Sequence, residues 1–486
     1  MRNWDLIRGL DPGDSRPLFV QLAQAIAQDV AEGRLASGAR LPGSRTLADT
    51  LGVHRNTVLE AYSELAAEGF IETLPKGGTF VAQRLPDAPA LPLRANPSRA
   101  RSRPGYDLRE VQLHPQPRYP KGALVLARGA PDPRLLPTAE LARAYRRQLL
   151  RHGSSLLFYG DPQGHERLRR VLAEMLSQTR RIDARPETVL VTRGSQMAIA
   201  LAARLLLQRG DAVAVEELGH PLVWSALRET GAKLLPIPLD EGGLSVGALE
   251  KLLSRRRLRA VYVTPHHQFP TAVVMPQERR LKLLSLARRH RFVILEDDYD
   301  HEFHYGERPI LPLASADEAA VVLYFGTLSK ILAPGLRLGF VTGPREVIER
   351  MVALRVTTDI QGDQATECAV AELFEEGELQ RHVHRMRAVY EKRRDALVEA
   401  LREHLGRAVS FAVPAGGMAL WLRAAGNVDV EAWAARALPL GVAFTGARQY
   451  DFAGRNLPHA RLAFTFLGEA ELDEAVRRMA AALKPA

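Results

Sequence analysis

Cysteine is almost missing from this chain of 486 residues, with Cys368 as its single representative. That count excludes an internal disulfide and any multi-cysteine metal site, and it fits a reducing compartment. Long apolar runs are missing as well. No stretch approaches the roughly 18 uninterrupted apolar residues of a membrane-spanning helix. The opening Met1-Arg2-Asn3-Trp4-Asp5-Leu6 also lacks the charged-then-apolar layout of a secretion signal. The expectation is a soluble, cytoplasmic protein, long enough for two or three domains. Charge of one sign is not concentrated where a nucleic-acid reading of the net +10 needs it. Residues 1–82 carry 8 Lys and Arg against 10 Asp and Glu, whereas residues 83–122 carry 8 against 3. Overall basicity is therefore no argument for DNA binding, which must rest on locally placed groups.

Residues 1–82 have a layout of their own. Leu18, Leu22, Ile26 and Val30 recur every four residues and predict an amphipathic helix ending near Gly33. Ser44 is placed to cap a short helix through Leu51, and Gly52 makes the turn. Asn56 or Thr57, with Glu60, offers the cap of a third helix that turns Val58, Tyr62 and Leu65 inward before Gly69. Phe70–Leu74 and Thr79–Val81 flank Pro75-Lys76-Gly77-Gly78 and read as a hairpin. Three helices and a hairpin make an α+β winged helix-turn-helix. In such a motif the second helix enters the major groove by its N-terminal residues. This puts Arg55, Asn56 and Thr57 at bases or adjacent phosphates, with Ser44 and Arg45 at the start of the preceding helix. Lys76, Gly77 and Gly78 form the wing tip that approaches the DNA backbone.

Residues 83–122 lose apolar periodicity and mix prolines with arginines, as a semi-extended linker does. From about 123 onward strands and helices alternate, which predicts a mainly parallel α/β sheet with functional residues at the carboxyl ends of its strands. A smaller α+β subdomain is expected from about 345 to 486.

The strongest chemical signal is Gly326-Thr327-Leu328-Ser329-Lys330, with Arg337 beyond it, directly after the apolar run Val321–Phe325. A lysine amine in a partly desolvated pocket forms a Schiff base, and Thr327, Ser329 and Arg337 are donor types that hold a phosphate beside it. Together they point to pyridoxal 5′-phosphate bound as an internal aldimine at Lys330. Asp297 follows another apolar run, Phe292–Leu295, where a carboxylate keeps a pyridinium nitrogen protonated, and Tyr299 is within reach of the cofactor's phenolic oxygen. Gly194, Ser195 and Gln196 lie where a strand passes into a helix, so free amides there can receive the phosphate. The other reading of Glu296-Asp297-Asp298 is an acidic loop or a metal-ligand pair. No matching His/Asp spacing accompanies it, so no metal is expected.

With these motifs in place, residues from about 123 to 486 resemble a fold-type I, class I aminotransferase. The matching stretches are Tyr159–Gly164, Thr264–Thr271, the Asp297/Tyr299 pair, and Ser329-Lys330 with Arg337. The resemblance implies that Arg461 clamps a carboxylate, and that Gly129 and Tyr159 join it around an effector. Residues 16–82 resemble the GntR-type winged helix through Leu41–Arg45 and Leu51–Val58. Their union resembles the MocR subfamily of bacterial regulators, which implies a homodimer on an operator with repeated half-sites. Two departures stand out. His220 occupies the region of the usual stacking aromatic, and Phe269-Pro270-Thr271-Ala272 replaces Asn-Pro-Thr-Gly, leaving His267 or Gln268 to supply the missing cofactor contact. The function implied is a regulator that senses an amino compound or pyridoxal phosphate itself. The alternatives are a working aminotransferase carrying a DNA-binding module, and a regulator with a vestigial pocket.

Overall fold

The computed structural model describes residues 10–11, 13–74, 77–85, 106–108, 117–306, 310–426 and 428–483. They fall into two compact units, Met1–Glu110 and Val111–Ala486.

The first unit comprises helices Leu18–Ala31, Ser44–Leu51 and Arg55–Ala67, followed by strands Ile71–Leu74 and Gly78–Val81, paired antiparallel. Leu22, Ile26 and Val30 of the first helix are buried with Leu47, Val58, Leu65 and Ile71, so the four-residue apolar spacing does build the core. The caps differ from expectation. Gly43, not Ser44, precedes the second helix, and no side chain caps it. His54 caps the third, its Nδ1 accepting from the Asn56 amide at 3.2 Å. The Tyr62 hydroxyl donates to the Pro42 carbonyl at 2.9 Å, tying the third helix to the loop before the second.

The second unit is built on a seven-stranded sheet. Its order is Val189–Thr192, Gly339–Thr342, Val322–Thr327, Val293–Asp298, Ala260–Val263, Ala212–Glu216 and Lys233–Ile237. Only Gly339–Thr342 pairs antiparallel with its neighbours; the remaining pairings are parallel. Near-continuous apolar strands suit a sheet covered on both faces, and two buried clusters accompany it, one around Leu190, Val213 and Phe325, the other around Val261, Ile294 and Val322. The Val293–Asp298 strand runs three residues beyond its apolar part, so Asp297 lies within the strand and not in a loop after it.

Residues beyond 345 add helices Arg345–Val356, Gln364–Glu375, Glu378–His404, Val430–Ala437 and Glu469–Leu483. A second sheet joins Val409–Phe411, Ala419–Ala424, His459–Ala463 and Thr445–Gly446. The Trp433 indole donates to the Met479 carbonyl at 2.8 Å, giving this fully buried side chain its polar partner. Leu124–Val125 pairs parallel with Val442–Ala443, so the chain opens this unit inside the smaller subdomain. Among the described residues, no helix is long and apolar enough to cross a membrane.

Candidate functional site

A cavity of about 800 Å³ opens at the carboxyl ends of the parallel strands and is closed by loops and by the smaller sheet. Lys330 stands in it, three residues past the Val322–Thr327 strand. Its Nζ donates to the Gly129 carbonyl at 2.6 Å. Burial, reinforced by the nearby Arg461 guanidinium, lowers the amine to about 8. A lysine so placed supplies a substantial unprotonated fraction near neutrality, as a nucleophilic amine requires.

Asp297 faces Lys330 across the cavity floor. Its Oδ2 accepts from the Tyr262 hydroxyl at 2.7 Å, whereas its buried Oδ1 has no partner. Burial raises this carboxyl to about 7 despite the Tyr262 bond, with Asp298 adding to the rise. Tyr299 also lines the cavity, and burial holds its phenol well above the ordinary value.

Gly194 caps the helix Ser195–Leu206 with a φ of 81°, and Gly194, Ser195 and Gln196 line the cavity at this helix N-terminus, whose first amides have no intrahelical partner. A Cβ on Gly339 would lie 2.6 Å from the Gly194 carbonyl carbon, so the neighbouring strand admits only glycine there. Thr327, Ser329 and Arg337 line the cavity too. Arg337 is held by a 3.0 Å bond from Nη2 to the Arg193 carbonyl. The Arg461 guanidinium lies over the Phe269 ring, 4.9 Å from its centroid. Gly129 passes directly beneath it, where a Cβ would come within 2.7 Å of Arg461 Nη2. His220 lines the wall, its ring 5.1 Å from that of Phe269.

Three expected residues are not among those lining the cavity. Gln268 turns into its own loop, where its amide donates to the Leu218 carbonyl at 2.8 Å and its Oε1 accepts from the Thr271 hydroxyl at 2.7 Å. His267 is spent likewise, its Nδ1 lying 2.7 Å from Asp300 Oδ1. Phe269 enters the cavity at this point instead. Tyr159 is 71 % exposed beside the equally bare Phe158, away from the cavity of its own chain. Residues the sequence reading missed include Tyr262, Thr264 and Tyr450. Tyr262, in the middle of an apolar strand, reads as a core aromatic, and only its pairing with Asp297 reveals otherwise.

In the first unit, Arg45, Arg55 and Asn56 are exposed and Ser44 and Thr57 half-buried. Arg55 Nε donates to Ser44 Oγ at 3.3 Å, bringing the starts of the second and third helices together. Gly78 holds φ at 104° in the hairpin, with Gly77 before it. Lys76 lies outside the described residues. Arg40 reaches this turn, since a Cβ on Gly78 would lie 3.2 Å from its Nε.

Residues 124–479 match the family of class I and II aminotransferases, and residues 18–81 match the gntR family of bacterial regulatory proteins. A Rhodobacter capsulatus protein, the HTH-type transcriptional regulator TauR, is 33 % identical over 98 % of both chains. The Rhizobium meliloti protein named probable rhizopine catabolism regulatory protein MocR is 33 % identical over 85 % of this chain and 83 % of its own. Among solved structures, LysN, the α-aminoadipate aminotransferase of Thermus thermophilus complexed with N-(5′-phosphopyridoxyl)-L-leucine, superposes with a TM-score of 0.70. That match has 32 % identity and spans 75 % of this chain and 92 % of that one. A winged helix ahead of a fold-type I aminotransferase domain defines a distinct class of regulator. The chain belongs to the MocR-type subfamily of GntR transcription regulators.

Proposed function

We propose that this chain is a transcription regulator whose aminotransferase-like domain binds pyridoxal 5′-phosphate at Lys330 and senses an amino compound, or the cofactor itself. The observation that carries the reading is the pairing, in one cavity, of a lysine lowered to about 8 with a carboxylate oxygen that has no partner. A buried polar atom without a partner calls for an explanation, and the ring nitrogen of a pyridinium supplies it for Asp297 Oδ1. When bound, the cofactor supplies an aldehyde that condenses with primary amines.

The chain's own residues divide the remaining work. Asp297, oriented by Tyr262, holds a proton at the ring nitrogen. The amides at Ser195, with Thr327, Ser329 and Arg337, hold the phosphate at the helix N-terminus. Tyr299 would meet the phenolic oxygen, and His220 and Phe269, which line the same cavity, would exclude water from the bound cofactor. Arg461 takes an effector carboxylate beside Gly129. The chain acts as a homodimer, and Tyr159 joins a site only from a second copy. Its exposed neighbours Leu157 and Phe158 favour such cover. Two winged helices per particle then read repeated half-sites, with Arg45, Arg55, Asn56 and Thr57 toward the bases or adjacent phosphates. Effector binding regulates only so far as it favours one dimer arrangement over another.

Borohydride reduction of the protein mixed with pyridoxal phosphate, followed by peptide mapping, tests this reading. The label is expected on Lys330. Labelling confined to surface lysines would refute it. The same residues also serve a transaminase, and keto-acid-dependent turnover at ordinary enzyme rates would replace the sensor with a working enzyme.

A further inference from the structure

Behind the cavity lies a second convergence of side chains. Successive strand residues point to opposite faces, so Asp297 enters the cavity and Asp298 turns away from it. There Asp298 Oδ2 lies 2.8 Å from His301 Nδ1. The His266 ring stands 4.5 Å from that of His301, with 35° between their planes. His266, Asp298 and His301 are only 3, 3 and 6 % exposed. Each offers one ligating atom, and these atoms lie within 4.8 Å of one another. Two polar atoms in this buried group, His266 Nδ1 and Asp298 Oδ1, have no hydrogen-bond partner.

We propose that His266, Asp298 and His301 bind one divalent transition-metal ion of the zinc type, with water completing its coordination. Two imidazoles and one carboxylate form a borderline donor set that suits zinc and its neighbours better than magnesium or calcium. Bonds of about 2.0–2.2 Å in a tetrahedral arrangement put donor atoms about 3.3–3.5 Å apart, so the widest pair closes by no more than about 1.5 Å through side-chain rotation. Burial holds His266 well below its ordinary value, which leaves its ring neutral, the form that coordinates. The Tyr324 hydroxyl donates to Asp298 Oδ2 at 2.7 Å and orients the carboxylate, as the groups that support metal ligands do. Arg180, whose charge also acts on Asp298, is paired with Glu302 and lies over the Tyr324 ring.

The position gives the ion a role. His266 lies in the loop that delivers Phe269 to the cavity, three residues before it, and Asp298 adjoins Asp297. A metal therefore braces two backbone segments of the cavity from behind. Sequence spacing hides this site, because His266 comes from the loop after the Ala260–Val263 strand, which only the parallel pairing sets beside Asp298. Metal binding at these three residues does not require the cofactor.

The test uses the untagged full-length protein, stripped with a chelator, dialysed and titrated with Co²⁺. One equivalent per chain is expected, with the visible absorption of a four-coordinate cobalt ion that Zn²⁺ abolishes by competition. Both His266→Gln and His301→Gln should weaken Co²⁺ binding by about 100-fold or more. His404→Gln should leave it unchanged, although His404 lies in a half-buried cluster with Glu403 and Asp473. Absence of binding in the natural protein, an unaltered band in His266→Gln, or loss only in His404→Gln overturns the proposal. Should the buried variants fail to fold, X-ray absorption of the zinc-loaded natural protein decides. Two imidazoles with oxygen donors support the site, and any other donor set refutes it.

Discussion

The Tyr262 hydroxyl donates to Asp297 Oδ2 at 2.7 Å while Oδ1 of the same carboxylate, in the cavity lining, is left without a partner. One oxygen is thus used to fix the carboxylate and the other is available to a ligand. Asp297→Asn removes the charge that the ligand needs. Pyridoxal phosphate affinity should fall by at least about tenfold, in line with the ~1.5–3 kcal/mol of a hydrogen bond to a charged group. Spectroscopic titration measures it.

The same carboxylate links stability to pH. Its folded value of about 7 lies above the ordinary range, so between about 4 and about 7 the folded chain holds a proton that the unfolded chain has released. Its contribution to the cofactor-free protein's stability is therefore present at low pH and lost as pH rises through about 7. Thermal melts of the cofactor-free protein should show Asp297→Asn more stable than the natural chain at pH 8, with the difference vanishing near pH 4. An Asn variant less stable at pH 8 would show that Asp297 is not strained in the free protein.

Lys330 titrates at about 8, lowered by burial and by Arg461. Covalent capture of pyridoxal phosphate requires the unprotonated amine, so its rate should climb as pH rises toward 8 and level off above. Stopped-flow absorbance would follow it. Lys330→Ala should lose the visible band of the bound cofactor yet remain a folded dimer by sedimentation.

Much of this site was legible because its chemistry sits at strand ends. Lys330 and Asp297 follow apolar runs, and strand ends gather function in α/β sheets. What stayed hidden depends on partners far away in sequence. Gln268 has a suitable side chain at a suitable register, but carbonyls of its own loop and Leu218 claim its amide. Tyr262 carries no local mark, since its partner Asp297 is on the neighbouring strand. In the winged helix, apolar spacing identified the first helix, and Ser44 with Gly52 and the inward Val58, Tyr62 and Leu65 marked the other two, whereas the cap of the third fell to His54, because a histidine nitrogen accepts from the Asn56 amide as a serine oxygen would.

Arg55 and Arg461 separate the two activities. Arg55→Ala should reduce operator affinity and lower the salt slope of binding by about 1, with cofactor spectra unchanged. Arg461→Ala should leave the cofactor in place and weaken carboxylate-bearing amines by about 10–100-fold, while amines lacking a carboxylate are little affected. Fluorescence anisotropy on duplex DNA and competition titrations read the two effects.

The central claim is that occupancy at Lys330 governs how the winged helices bind DNA. The most direct test is the affinity and footprint of the full-length protein on an operator selected from random duplexes, with and without pyridoxal phosphate, for the natural chain and Lys330→Ala. A cofactor-dependent shift in affinity or half-site spacing is expected in the natural protein and none in the variant. Operator binding that is the same in all four samples would contradict it.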